Sequence, residues 1–107
     1  MNRFRLEDMV GGWFIGNFQP SAIHTKHFEV TVRKYMSGDS EPKHFQRVAT
    51  EITVIIDGQA RMGDELLGPN DIIVLDPKDS LDFEAITAVT LVAVKFPSLP
   101  DDKVLDS

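Results

Sequence analysis

The chain has no cysteine. That excludes disulfides and thiolate metal centres, and it suits a reducing compartment. Basic residues are few, with eleven Lys and Arg against seventeen Asp and Glu, for a formal net charge of -6 and a pI near 4.9. They are scattered along the chain, and the acidic balance repels both a phosphate backbone and an anionic membrane surface. Neither nucleic acid nor a membrane is therefore expected as a partner. No apolar run is long enough to span a bilayer, and the first eight residues, Met1 to Asp8, lack the apolar core of a signal peptide. The expectation is a soluble, cytoplasmic protein.

Helical periodicity is also scarce. Short runs rich in Val, Ile, Thr and Phe recur instead, broken by Gly, Pro, Asn and Asp about every 8 to 12 residues, which predicts an all-β sandwich or barrel. With 107 residues, 42% of them hydrophobic, the chain suits one compact domain and is too short for two. We divide it into N-terminal strands over residues 1–34, a central region over 35–96 and a polar C-terminal tail over 97–107, with Asp101 and Asp102 in that solvated tail.

Residues Arg3 to Val10 predict a short strand or irregular arm, broken by Gly11-Gly12 before Trp13 to Phe18. From His27 the alternation is clean: Phe28, Val30 and Val32 face one way as core, while Glu29, Thr31, Arg33 and Tyr35 form the polar face. Arg33 and Tyr35 could line the barrel and hold an anionic ligand, or face outward, since parity alone does not say which side is inward. Asp57-Gly58 between apolar strands predicts a type I′ hairpin with Gln59 to Met62 as its return strand. Further turns at Gly63-Asp64, Gly68 to Asp71 and Asp76 to Asp79 delimit strands at Ile72 to Leu75, Leu81 to Ala85 and Ala88 to Phe96. Ile52 to Ile56, Ile72 to Leu75 and Val89 to Val94 are apolar on both faces, so both faces need cover. A barrel interior covers one, and a second copy covers the other, which predicts a homodimer. Trp13, Phe14 and Phe18 are expected to cover one barrel end or that interface. The His24 and His27 pair is expected to be exposed.

The stretch from Pro42 to Gly58 carries the densest chemistry. His44 and Gln46 are two apart and share one face of an extended strand, and Glu51 opens the next strand. Such groups, held on strands, are positioned more rigidly than groups on loops.

Residues Tyr35 to Phe96 resemble the cupins, small double-stranded β-helix or jelly-roll barrels. Gly38, His44-Phe45-Gln46, Glu51 and Gly58 follow the family's first motif of Gly, His-x-His, Glu and Gly, with Gln46 in place of the second histidine. Asn70-Asp71, Ile72 to Leu75 and Pro77-Lys78-Asp79 follow the second, with Asn70 and Asp79 at glycine positions and Asp82 where the last histidine falls. The resemblance implies a divalent metal inside the barrel, here held by His44, Gln46, Glu51 and Asp82. This oxygen-rich set suits Mn²⁺, Fe²⁺ or Zn²⁺ better than copper. Without a metal, the same residues form a hydrogen-bonded polar cluster, or a proton-transfer site as in cupin-like epimerases and ketoisomerases, with His44 as base oriented by Glu51 or Asp82. The functions implied are a small-molecule enzyme of oxygenase, isomerase, epimerase or lyase type, a non-catalytic sensor or storage module, or an interaction protein with a filled barrel. Fold does not choose among them.

Overall fold

The computed structural model describes residues 1–106. Two short 3₁₀ turns, Leu6–Asp8 and Val10–Gly12, occupy the N-terminal segment where a strand or irregular arm was expected. Eleven strands follow: Trp13–Gly16 (β1), Ile23–His24 (β2), Glu29–Tyr35 (β3), Ser40–Gln46 (β4), Thr50–Asp57 (β5), Ala60–Met62 (β6), Glu65–Leu67 (β7), Ile72–Leu75 (β8), Leu81–Ala85 (β9), Val89–Phe96 (β10) and Lys103–Leu105 (β11). They form a six-stranded sheet in the order β2-β1-β3-β10-β5-β8 and a five-stranded sheet in the order β11-β4-β9-β6-β7. The all-β architecture is as the residue pattern predicts, and its two-sheet jelly-roll form is as the resemblance implies. No helix among the described residues is long and apolar enough to cross a membrane.

The two sheets share one core. Ile55, Val89, Leu91 and Ala93 from the larger sheet meet Ala60, Met62, Leu67, Phe83 and Ala85 from the smaller one. Each set is every second residue of its strand, as a half-buried strand requires. Inward alternation continues along β3, but it selects the polar set: Thr31 is fully buried, and Glu29, Arg33 and Tyr35 line the interior. Val30 and Val32 face outward. The expected core face of β3 is thus reversed, because its neighbour β10 presents Leu91, Ala93 and Lys95 on the side shared with Thr31 and Arg33.

The Asp57-Gly58 segment is not the expected hairpin. β6 pairs with β7 and β9 in the opposite sheet and makes no ladder with β5. Gly58 instead carries the chain across the corner between sheets: its φ is +92°, and a Cβ there would come 2.0 Å from the Ala88 carbonyl oxygen. Only glycine fits both demands. The tight β-hairpin lies one strand later, where Gly63-Asp64 joins β6 to β7 and Met62 pairs with Glu65.

The C-terminal segment is a strand, not a loose tail. β11 pairs with β4 along Lys103↔Gln46, Val104↔Phe45 and Leu105↔His44. Asp102, expected in solvent, is buried; its carboxylate accepts hydrogen bonds from the Val48 and Ala49 backbone N–H groups at 3.0 and 2.9 Å. It closes the β4–β5 turn.

On the outside of the larger sheet, the ladder registers align two apolar rows. Ile15, Val30, Val94, Ile52 and Val74 form one across five strands, and Val32, Val92, Val54 and Ile72 the other. A bulge between Trp13 and Ile15 puts Trp13 inside and Ile15 outside.

Candidate functional site

Between the sheets lies a cavity of about 430 Å³, a size that suits a small molecule. Its interior is graded. Toward the Ile55, Leu91 and Val89 core it is apolar, and toward the open end the inward positions turn polar. In ladder order, Glu29, Lys95 and Glu51 stand side by side on β3, β10 and β5, with the lysine between two acidic residues. Lys95 Nζ is 3.8 Å from Glu51 Oε1 and 4.9 Å from the Trp13 ring centroid. Glu29 Oε1 accepts the Ser98 hydroxyl at 2.9 Å, and Ser98 Oγ accepts the Asn17 N–H. Burial pushes the Glu51 carboxyl above its ordinary value, an effect that nearby Lys95 and His44 only partly offset.

Facing this row, β4 supplies His44, Gln46 and Glu41. A bulge between Glu41 and His44 sets Glu41 opposite Phe83 and His44 opposite Leu81, so both point to the interior although they are three apart. His44 Nδ1 lies 2.8 Å from the Pro42 carbonyl, to which it donates, leaving Nε2 as a free acceptor when the ring is neutral. Gln46 is only 7% exposed, and its Nε2 has no hydrogen-bond partner. Arg33 reaches Glu41 at 3.4 Å, and its guanidinium carbon lies 5.1 Å from the Tyr35 ring centroid. The Tyr35 hydroxyl is pushed up to about 12, first by burial and then by the Glu41 charge. Trp13 and Phe18, edge-on with centroids 6.4 Å apart, cover one end of the cavity. His24 and His27 are exposed.

Asp82 does not join this set. On β9 it alternates with Leu81, Phe83 and Ala85, which pack into the core, so its side chain stands on the outer face of the smaller sheet. There it accepts two hydrogen bonds from Arg61, at 3.1 and 3.0 Å, with Glu84 3.7 Å from the same guanidinium. Arg61 holds the Asp82 carboxyl below its ordinary value. Among the described residues no three His, Asp or Glu side chains converge closely enough to hold a metal ion. The four-residue metal set His44, Gln46, Glu51 and Asp82 therefore does not come together: Asp82 faces away toward Arg61, and Glu51 is paired with Lys95.

Sequence reasoning found His44, Gln46 and Glu51 through the family pattern but missed Glu41, Lys95 and Glu29 as cavity groups. Lys95 was visible as the single charge in the apolar run Val89 to Phe96. Glu41 carried no signal, because the bulge shifts its parity. At the second-motif turns, Asn70 and Lys78 take positive φ of 75° and 73°; the left-handed residue is Lys78 and not Asp79.

No family model and no curated protein matches the sequence. Solved structures do resemble the fold. A double-stranded β-helix domain protein from Klebsiella pneumoniae superposes with a TM-score of 0.72 at 18% identity, over 97% of this chain and 90% of that one. The DMSP lyase DddQ of Ruegeria pomeroyi gives 0.71 at 19% identity, over 87% of this chain and 49% of the lyase. Oxalate decarboxylase of Bacillus subtilis gives 0.67 at 13% identity over 75% of this chain, which spans only 24% of that enzyme. With two facing sheets joined by crossing corners around a central cavity, the chain has a double-stranded β-helix fold similar to that of solved cupin structures.

Proposed function

We propose that the barrel binds a small polar molecule bearing a hydrogen-bond acceptor, and that Glu51 exchanges a proton with it. The observation that carries this reading is the Gln46 amide nitrogen, buried at the cavity wall without a partner. An orphaned buried donor costs about 1–3 kcal/mol, which a ligand acceptor recovers. Glu51, with its raised proton affinity, is the acid or base of the site, and His44 Nε2 is a second base within the same cavity. Arg33 and Tyr35, on the same sheet as Glu51 and across the cavity from His44 and Gln46, bind the ligand's polar or anionic part. The reaction class this supports is proton-transfer isomerisation, epimerisation or lyase chemistry, and no step runs through a metal.

A non-catalytic binding module is the second reading. It is favoured by the pairing of Arg33 with Glu41 and of Glu51 with Lys95, which leaves the cavity's charges largely satisfied before any ligand arrives.

The test is a thermal-shift and calorimetric screen of small hydroxy acids, keto acids and sugars against the wild type and Gln46→Met. The variant fills the same space without the orphan donor. It should be as stable as the wild type or more so when free, and should lose the ligand-induced shift. Ligands that stabilise both proteins equally, or none that bind the wild type, overturn the reading. Proton exchange from a bound ligand into deuterated solvent, lost in Glu51→Gln, separates the enzyme from the binding module.

A further inference from the structure

We infer that the outer face of the six-stranded sheet is a self-association surface, and that the protein pairs through it as a two-fold dimer with the dyad running along β10. The two aligned rows described above contain nothing but β-branched aliphatics. Two of these residues stand open to solvent, Ile72 at 66% and Val74 at 56%, and the other seven are half-buried. The main backbone contacts of β10, β5 and β8 are with their own ladder neighbours. The arrangement is the inverse of an ordinary barrel, in which polar residues face water. Here the polar set of β3 and β5 points in, and the aliphatic set points out.

The occupant that fits is a second copy. Strands about 4.8 Å apart and residues about 3.3 Å apart give the face roughly 500 Å² of sheet, so two copies bury on the order of 1,000 Å², the threshold for a specific interface. Sheets pack face to face when flat, branched side chains interdigitate, which two such identical faces allow. The rows themselves carry no charge, which matters for two molecules of net charge -6. Charge appears at one end, where Lys34 and Asp57 flank Thr90 from opposite sides in the ladder, Asp57 across a register shift that follows the buried Ile55. A dyad along β10 lays β3 of one copy over β5 of the other. Lys34 then meets the opposite copy's Asp57, and the symmetry makes the contact twice.

Sedimentation equilibrium over a dilution series tests this. The wild type should weigh twice the 12.0 kDa of the chain. Val92→Lys, on the central strand of the face, should be monomeric with unchanged circular dichroism. Lys34→Glu and Asp57→Lys should each weaken the dimer at least tenfold, and the double variant should recover it. A monomeric wild type overturns the inference, whether or not some other protein then docks there. So does a dimer that survives Val92→Lys, or a double variant no tighter than the singles. Ligand binding in the monomeric variant keeps this outcome distinct from that of the barrel site.

Discussion

Lys95 and Glu51 face each other inside the barrel, Nζ to Oε1 at 3.8 Å, with the ammonium also lying 4.9 Å from the Trp13 ring centroid. At 14% and 13% side-chain exposure, neither group is well hydrated. Despite its cationic neighbour, Glu51 still prefers its proton more than a free glutamate does, because burial outweighs the attraction.

The consequence for stability has a definite sign. Below the ordinary value of 4.5, Glu51 is protonated in both the folded and unfolded chains. As pH rises past it, the unfolded chain ionises first, so the wild type loses stability until the folded Glu51 ionises as well. Glu51→Gln has no such proton. Urea unfolding of both proteins across roughly pH 4 to 8 should show the wild type losing ground to the variant as pH rises. Parallel curves would mean that burial does not tune this carboxyl.

Tyr35 offers a cleaner spectroscopic handle, because it is the single tyrosine in the chain. Its hydroxyl sits at about 12 instead of 10.0, through burial and the nearby Glu41 charge. Tyrosinate absorbance in the folded protein should therefore appear late, and Glu41→Gln should bring it earlier. The folded state holds this proton longer than the unfolded chain, so stability falls as pH climbs above 10.0. If the absorbance rises near 10.0 while circular dichroism is still native, the phenol is not in the environment described.

The strand sequence was legible, and the orientation of the strands was not. Alternation in Glu29 to Tyr35 shows two faces, but only pairing to β10 decides that Thr31, Arg33 and Tyr35 point inward. The Asp57-Gly58 pair has the composition of a hairpin, yet its glycine serves a corner, since partner choice is set by tertiary packing and not by turn residues. The family pattern singled out His44, Gln46 and Glu51, and all three line one cavity. It misplaced Asp82, because a pattern counts residues while the alternation of Leu81, Phe83 and Ala85 fixes which way position 82 points. Asp102 looked like tail because nothing local reveals the two backbone donors that its carboxylate satisfies.

The outward position of Asp82 leads to a prediction that separates it from the site. Asp82→Ala should leave any cavity ligand's binding unchanged and should alter neither uptake nor loss of Mn²⁺, Fe²⁺ or Zn²⁺, while releasing Arg61. Being half exposed, the pair is worth little to stability. What it contributes is present above the unfolded carboxyl value of 3.8 and is lost as pH falls through the lowered folded one. Metal analysis after reconstitution and removal of excess ion checks this. Stoichiometric metal in the wild type that disappears in Asp82→Ala would return Asp82 to the interior.

Asp102 links the C-terminal strand to the cavity, and its removal should be felt in both. The Ala49 N–H that it accepts is buried, so Asp102→Ala leaves a donor that water does not reach and should cost about 2 kcal/mol. Asp102→Asn keeps an acceptor oxygen and should cost about half as much. Arg47 N–H also donates to the Asp102 carbonyl, so the β4–β5 turn and the start of β11 loosen together when the side chain is lost. Because Lys103 pairs with Gln46, the wall that carries the orphan amide then loses its outer strand. Hydrogen exchange should accelerate at Lys103 to Leu105 and at Phe45 and Gln46, with the β5–β10 ladder still protected. Uniform acceleration across both sheets would show instead that Asp102 supports the whole fold and not this edge.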